Sequence, residues 1–141
     1  MSGRDFSLDP RLAADSCAIA TLPLCEVRLM NDARYPWLIL VPQQAGLVEI
    51  SDLAAAEQTR LWQEVNQAAA ALRVVAPCDK LNLGALGNIV HQLHVHIIAR
   101  CIGDAAWPGP VWGYGAARAY AQAELAARRE ALRQALLHPA T

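Results

Sequence analysis

Three of the four histidines in this 141-residue chain fall within six positions, in the stretch His91-Gln-Leu-His-Val-His-Ile-Ile-Ala-Arg100. Successive side chains of an extended strand point to opposite faces, so Leu93, Val95, Ile97 and Ala99 share one face and Gln92, His94, His96, Ile98 and Arg100 the other. A strand that needed only one buried face would fill its second side with Thr, Ser or Lys as readily as with imidazole. Residues two apart on one face stand about 6.6–6.8 Å apart along the strand. His94 and His96 can therefore address a single small group, and a phosphate or a metal ion has the right size.

For a phosphoester or phosphoanhydride, neutral imidazole is a competent nucleophile, and an ordinary pKa of about 6.5 keeps much of it deprotonated near neutrality. Attack by His94 would give a phosphohistidine-type intermediate. His96 could bind a phosphate oxygen or assist the leaving group, and Gln92 could donate or accept a hydrogen bond without changing charge. Spacing alone does not divide these roles. Two other readings stand beside this one. The histidines could be ordinary half-exposed strand residues, or the H-x-H pair could present two imidazoles to zinc. Zinc would need further ligands, and Cys78, Asp79, Cys101 and Asp104 are the nearby candidates, none at an informative spacing. No metal or cofactor is expected.

The turn Asn82-Leu-Gly-Ala-Leu-Gly-Asn88 immediately precedes the histidines. Its glycines permit backbone conformations that aim N–H groups at an anion, but it lacks the Gly-Lys-Ser/Thr of a nucleotide P-loop. Asn82, Asn88 and, earlier in the chain, Asn31 are each either turn formers or ligand contacts. Trp107 and Trp112 lie in a segment rich in Pro and Gly. They either plug an edge of the core or anchor a dimer contact that also roofs the site. His138 falls in the last turn of the final helix, where the helix dipole accounts for it.

The elements that must position these residues read as follows. A short helical turn after Asp9-Pro10 leads into strands at 17–21, 24–30 and 37–41, the last two joined by the turn 31–36. Ser51 is a good N-cap, and Leu53, Leu61, Val65, Ala68, Ala69 and Leu72 mark a helical face running to about Arg73, flanked by Trp62. Residues 80–83 and the His-rich strand form a second hairpin. Residues 101–115 make an ordered arm, and an alanine-rich helix covers 116–137. Hairpins with helices between and after them give an α+β fold on an antiparallel sheet, in one domain spanning 1–141.

Composition narrows the function classes. The chain is 55% hydrophobic and 18% charged, which excludes disorder, and a formal charge of −1 supplies no field for nucleic acid. Four cysteines without paired spacing fit free thiols in a reducing compartment. Neither a signal pattern nor a membrane-length apolar run is present, so a cytoplasmic protein with no membrane or nucleic-acid partner is expected.

The segment Gln92-Leu93-His94-Val95-His96-Ile97-Ile98 resembles the His-φ-His-φ-His-φ-φ motif of the histidine triad (HIT) superfamily, φ being apolar. It is preceded by Gly87-Asn88, where many relatives have Gly-Gln, and followed by a Trp107-Pro108 arm similar to that of the nucleoside phosphoramidase branch. The resemblance runs from about Leu24 to Gly113. It departs from the pattern at the first triad position, Gln92 instead of His, and at Ile89, where Ser or Thr often follows Gly-Gln.

The resemblance implies a sheet of about five antiparallel strands with two main helices, a homodimer, and a site for nucleoside phosphates that uses no metal. It implies that His94 attacks the α-phosphorus to form a nucleotidyl-histidine and that His96 contacts phosphate near the leaving group. Gln92, at the first triad position, completes the catalytic set. Asn31 would hold the ribose, Leu29 would wall the base, and Asn82 and Asn88 would meet phosphate or leaving group. The expected activity is hydrolysis of, or nucleotidyl transfer from, nucleoside phosphoramidates or dinucleoside polyphosphates. The alternatives are a nucleotide-binding protein with little catalysis and a zinc-dependent hydrolase.

Overall fold

A computed structural model describes residues 6–139; the expected span of 1–141 runs past these at both ends. Five strands form, the central ones on apolar and β-branched runs: β1 (Ser16–Thr21), β2 (Cys25–Met30), β3 (Trp37–Pro42), β4 (Lys80–Gly84) and β5 (Val95–Arg100). They make one sheet in the order β1-β2-β3-β5-β4, antiparallel at every pairing. The expected α+β architecture is observed.

The sheet is covered on both sides, and β3 and β5 are buried along their whole length. Helices α2 (Ala55–Val75) and α3 (Gln122–Leu137) cover one face. Leu61, Val65, Ala68 and Leu72, spaced to share one side of α2, pack with Val27, Leu40, Val95 and Ile97. Helix α1 (Pro10–Asp15) and the arm 101–115 cover the other face. There Leu12, Ala106 and Val111 pack on Trp37, Ile39 and Ile98. The histidines belong to this second face, beneath the less regular layer.

Local chemistry explains where the elements begin. Pro10 opens α1 at a position where no backbone N–H is needed, and the Asp9 carboxylate accepts from Arg11 N at 2.8 Å. Ser51 is not the cap of α2. It lies in the 3-10 turn Ile50–Asp52, where the Asp52 carboxylate accepts from Val48 N and Glu49 N at 3.1 and 2.8 Å. Helix α3 starts at Gln122, six residues later than its alanine content predicts. Residues 116–121 have other partners for their backbone: Ala33 N donates to Arg118 O at 2.6 Å, Arg118 N to Asp32 Oδ1 at 3.3 Å and Tyr120 N to Asn31 Oδ1 at 2.9 Å. Tertiary pairing overrides propensity there.

Helix α2 carries a buried carboxylate. Glu64 is 2% exposed, and its two oxygens accept from Leu24 N at 2.9 Å and Cys25 N at 2.8 Å, at the turn between β1 and β2. No helix among the described residues is long and apolar enough to cross a membrane.

Candidate active site

Strand register sets the centre of the site. His96 on β5 is flanked by Ile39 on β3 and by Gly84, the last residue of β4. His94 lies just before β5 begins, its neighbour Leu93 tied down by a bond from Leu93 N to Leu47 O at 3.0 Å. The imidazoles converge as their spacing predicts, with ring centroids 4.8 Å apart and planes at 63°. His94 and His96 are 6% and 7% exposed. Both line a cleft of about 640 Å³, so the little surface they keep faces one space.

Each ring has one nitrogen committed to the protein. His94 Nδ1 lies 2.7 Å from the Gln92 main-chain carbonyl oxygen, which can only accept. Nδ1 therefore carries the proton and Nε2 keeps its lone pair. At His96 the partner is of the opposite kind. The indole Nε1–H of Trp37, which can only donate, meets His96 Nδ1 at 3.0 Å. His96 is thus the Nε2–H tautomer. Burial, and then the neighbouring His94 charge, lowers the His96 pKa to about 3, so the ring is neutral near pH 7. A lone pair and an N–H donor stand side by side in the cleft.

Aromatic rings hold His96 in place. Trp37 and Trp112 lie 5.7 and 5.4 Å from it between centroids, at 53° and 81°. Trp112 comes from the arm and fits because residue 84 is glycine; a Cβ there would lie 3.0 Å from Trp112 Cη2. Trp112 Nε1 is buried with no hydrogen-bond partner among the described residues. Gly87, at φ 71°, is the residue of this turn that uses the left-handed region.

The arm is fastened by a buried charge. Arg100 is 1% exposed and donates from Nε and Nη2 to the two oxygens of Asp104, each at 2.8 Å. It also donates from Nη1 to Asn82 Oδ1 at 2.8 Å. The Tyr35 and Trp107 rings flank its guanidinium, with centroids 5.6 and 5.5 Å away. The Arg100 hydrogen bonds hold the Asp104 pKa below the usual carboxylate value.

The remaining sequence candidates divide. Asn88 lines the cleft with the histidines and also a smaller cavity of about 330 Å³ that shares His94 and contains Glu49 and His91. Asn31 lines a third cavity, about 310 Å³, which shares Asp15, Met30 and Trp37 with the main cleft. Its Oδ1 is taken by Tyr120 N. Leu29 is a correction: it is fully buried on the face toward the long helices, and Met30, on the opposite side of β2, lines the cleft in its place. Asn82 is another, because its carbonyl serves Arg100 and it lines none of these three cavities.

Gln92 also departs from expectation. Its amide does not reach His94; Nε2 donates to Ser7 O and Oε1 accepts from Asp9 N, both at 2.8 Å. Only its main-chain carbonyl orients the histidine. Sequence reasoning missed Trp37, Met30 and Arg11, the last of which also lines the cleft. Trp37 carried no signal, since its partner is 59 positions away. For zinc, no three His, Cys, Asp or Glu side chains converge among the described residues, and Asp104 and Asp79 serve Arg100 and Ile102 N.

A protein-family model described as the HIT domain matches residues 11–101. Among solved structures, the chain is similar to a histidine triad (HIT) protein from Sinorhizobium meliloti, at 48% identity and a TM-score of 0.91, covering 94% of this chain and 98% of that one. It is similar to a histidine triad protein from Bradyrhizobium japonicum, at 49% identity and 0.89, covering 92% and 96%. A histidine triad protein from Marinobacter aquaeolei is 42% identical at 0.91, covering 96% and 98%. Among curated proteins no significant match is found.

Proposed function

The chain belongs to the HIT domain family, and from that premise we propose that it is a nucleotide hydrolase or nucleotidyl transferase working through a covalent bond to His94. In this reading Gln92 stands at the first position of the triad. The observation that carries the proposal is the pair of opposite tautomers: His94 Nε2 with a free lone pair beside a His96 Nε2–H donor.

The substrate is a nucleoside phosphoramidate or dinucleoside polyphosphate. His94 Nε2 attacks the α-phosphorus, an N–P bond forms, and the bond from phosphorus to the leaving atom breaks with its electron pair on that atom, a phosphate oxygen leaving as the anion and a phosphoramidate nitrogen leaving as the amine with a proton drawn from solvent. His96 Nε2–H donates a hydrogen bond to the phosphoryl group beside that atom, in a site where burial strengthens it. The phosphorylated His94 ring is cationic, and the Gln92 carbonyl at 2.7 Å stabilises that charge through Nδ1–H. Water, or another acceptor, then attacks phosphorus and gives up its proton to solvent, and the N–P electrons return to His94 Nε2. Met30 and Leu12 would wall the base, Asn31 the ribose end, and Asn88 the phosphate, in keeping with the cavities they line.

A homodimer belongs to this reading. β4 is a sheet edge with Leu83 46% exposed, and Ile102 beyond β5 is 71% exposed. A cytoplasmic location accords with four free cysteines.

Incubation with adenosine and guanosine phosphoramidates and dinucleoside polyphosphates, with product release followed, tests the activity. Wild-type protein is expected to turn over at least one and to yield a trapped phosphorus adduct on His94. His94→Ala is expected to lose turnover and retain nucleotide binding; undiminished hydrolysis in that variant overturns the mechanism. The second reading, a nucleotide-binding protein with little catalysis, draws on the commitment of the Gln92 amide to the N-terminal segment. Binding without a burst or an adduct would favour it.

A further inference from the structure

The His94/His96 cleft would receive a group with at least one negative charge, yet both imidazoles have a nitrogen tied to the protein, and His96 is held neutral. Among the residues lining the cleft, one cation is present, Arg11. It sits in the first turn of α1, and its guanidinium makes one hydrogen bond among the described residues, from Nη1 to Ile89 O at 3.2 Å. That bond places it at the turn whose Gly87 and Asn88 also line the cleft. Asp15, at the other end of α1, also lines the cleft and borders the cavity around Asn31, its main-chain oxygen accepting from Asn31 N at 2.9 Å. Helix α1 thus sets Arg11 against the turn that precedes the imidazoles, with Asp15 at the opposite end of the helix.

What holds α1 there is Gln92. Its amide grips the chain on both sides of Leu8, donating to Ser7 O and accepting from Asp9 N at 2.8 Å each. Asp9 is the N-cap of α1 and bonds Arg11 N, so the grip passes directly to the arginine. A neutral imidazole also has one donor and one acceptor, but on nitrogens that diverge across the ring, whereas a primary amide presents both groups side by side to the two partners that flank Leu8.

We propose that Gln92 is a positioning residue that latches residues 7–15 over the cleft, and that Arg11, carried by that segment, is the phosphate-binding cation of the substrate site. The inference rests on the nucleotide reading above. Guanidinium offers a planar fork suited to two phosphate oxygens. One guanidinium–phosphate contact stabilises the phosphorylated ligand and leaves an uncharged nucleoside unaffected.

The test measures dissociation constants for AMP, GMP and adenosine by calorimetry, on wild-type protein and on Arg11→Ala, Arg11→Lys, Gln92→Ala and the double variant. Arg11→Ala is expected to weaken nucleotide binding at least tenfold and adenosine by less than twofold, with Arg11→Lys recovering part of the loss. Gln92→Ala is expected to show the same selective loss, and the double variant to bind no more than twofold worse than Arg11→Ala, because the two residues act as one device. Unchanged nucleotide affinity in Arg11→Ala, or equal weakening of adenosine, overturns the inference while leaving the proposed activity standing. Additive losses in the double variant overturn the latch. Wild-type protein that binds neither nucleotide and turns over no substrate overturns both.

Discussion

Replacing Trp37 with Phe removes one indole N–H and leaves an aromatic ring in the same buried position. At present the N–H lies 3.0 Å from His96 Nδ1, so a proton arriving at Nδ1 would face a donor. A buried hydrogen bond of this kind contributes about 1 kcal/mol net, and leaving a buried polar group opposed costs about 1–3 kcal/mol. At 1.36 kcal/mol per tenfold, losing that opposition raises the proton affinity of His96 by roughly ten- to a hundredfold. The His96 pKa then moves up from about 3 toward the ordinary value, with burial and His94 still holding it low. Turnover at neutral pH falls about fivefold, the equivalent of about 1 kcal/mol. Nitrogen-15 NMR of the imidazoles across pH gives the direct reading. In the wild type, His96 Nδ1 is expected to be the unprotonated nitrogen, and in His94 Nε2. Finding the His96 proton on Nδ1, or an unaltered His96 titration in Trp37→Phe, would refute the tautomer argument.

Other outcomes follow from the same geometry. Asp104→Ala leaves the buried Arg100 without its carboxylate and is expected to cost about 3–5 kcal/mol, seen as a lower urea midpoint; a loss below about 1 kcal/mol would contradict the tether. Gly84→Ala places a methyl 3.0 Å from Trp112 Cη2 and is expected to shift the indole, change its fluorescence and cost about 1–3 kcal/mol. His96 has a lowered folded pKa, so between pH 6.5 and about 3 the unfolded chain binds a proton that the folded chain excludes. Its contribution to stability is fully present above pH 6.5 and is lost as pH falls through that window, by at most about 1.4 kcal/mol per pH unit; His96→Asn is expected to flatten that slope in equilibrium unfolding.

The alternation from Leu93 to Arg100 carried the placement of His94 and His96, because a period of two leaves no choice of face once one side is apolar. The helical stripe Leu61, Val65, Ala68, Leu72 was equally legible. What sequence could not show were pairings across distance. Arg100 looked like the end of a polar face, and only its meeting with Asp104, Asn82 and two aromatic rings makes it the arm's anchor. The resemblance put Leu29 at the base wall, but neighbours on a strand face opposite ways and Met30 is the one that lines the cleft. Ala116–Ala121 reads as helix by propensity until Asn31, Asp32 and Ala33 bond to its backbone. The Gln92 side chain finds partners 83 and 85 positions away, where no local pattern could reveal them.

The two oxygens of Glu64 that receive Leu24 N and Cys25 N bear on the order of assembly. Without that carboxylate, two adjacent amides at the β1–β2 corner would be sealed from water with nothing to donate to, at about 1–3 kcal/mol apiece. Corner and helix must dehydrate together, which couples one rim of the sheet to a segment some forty residues downstream.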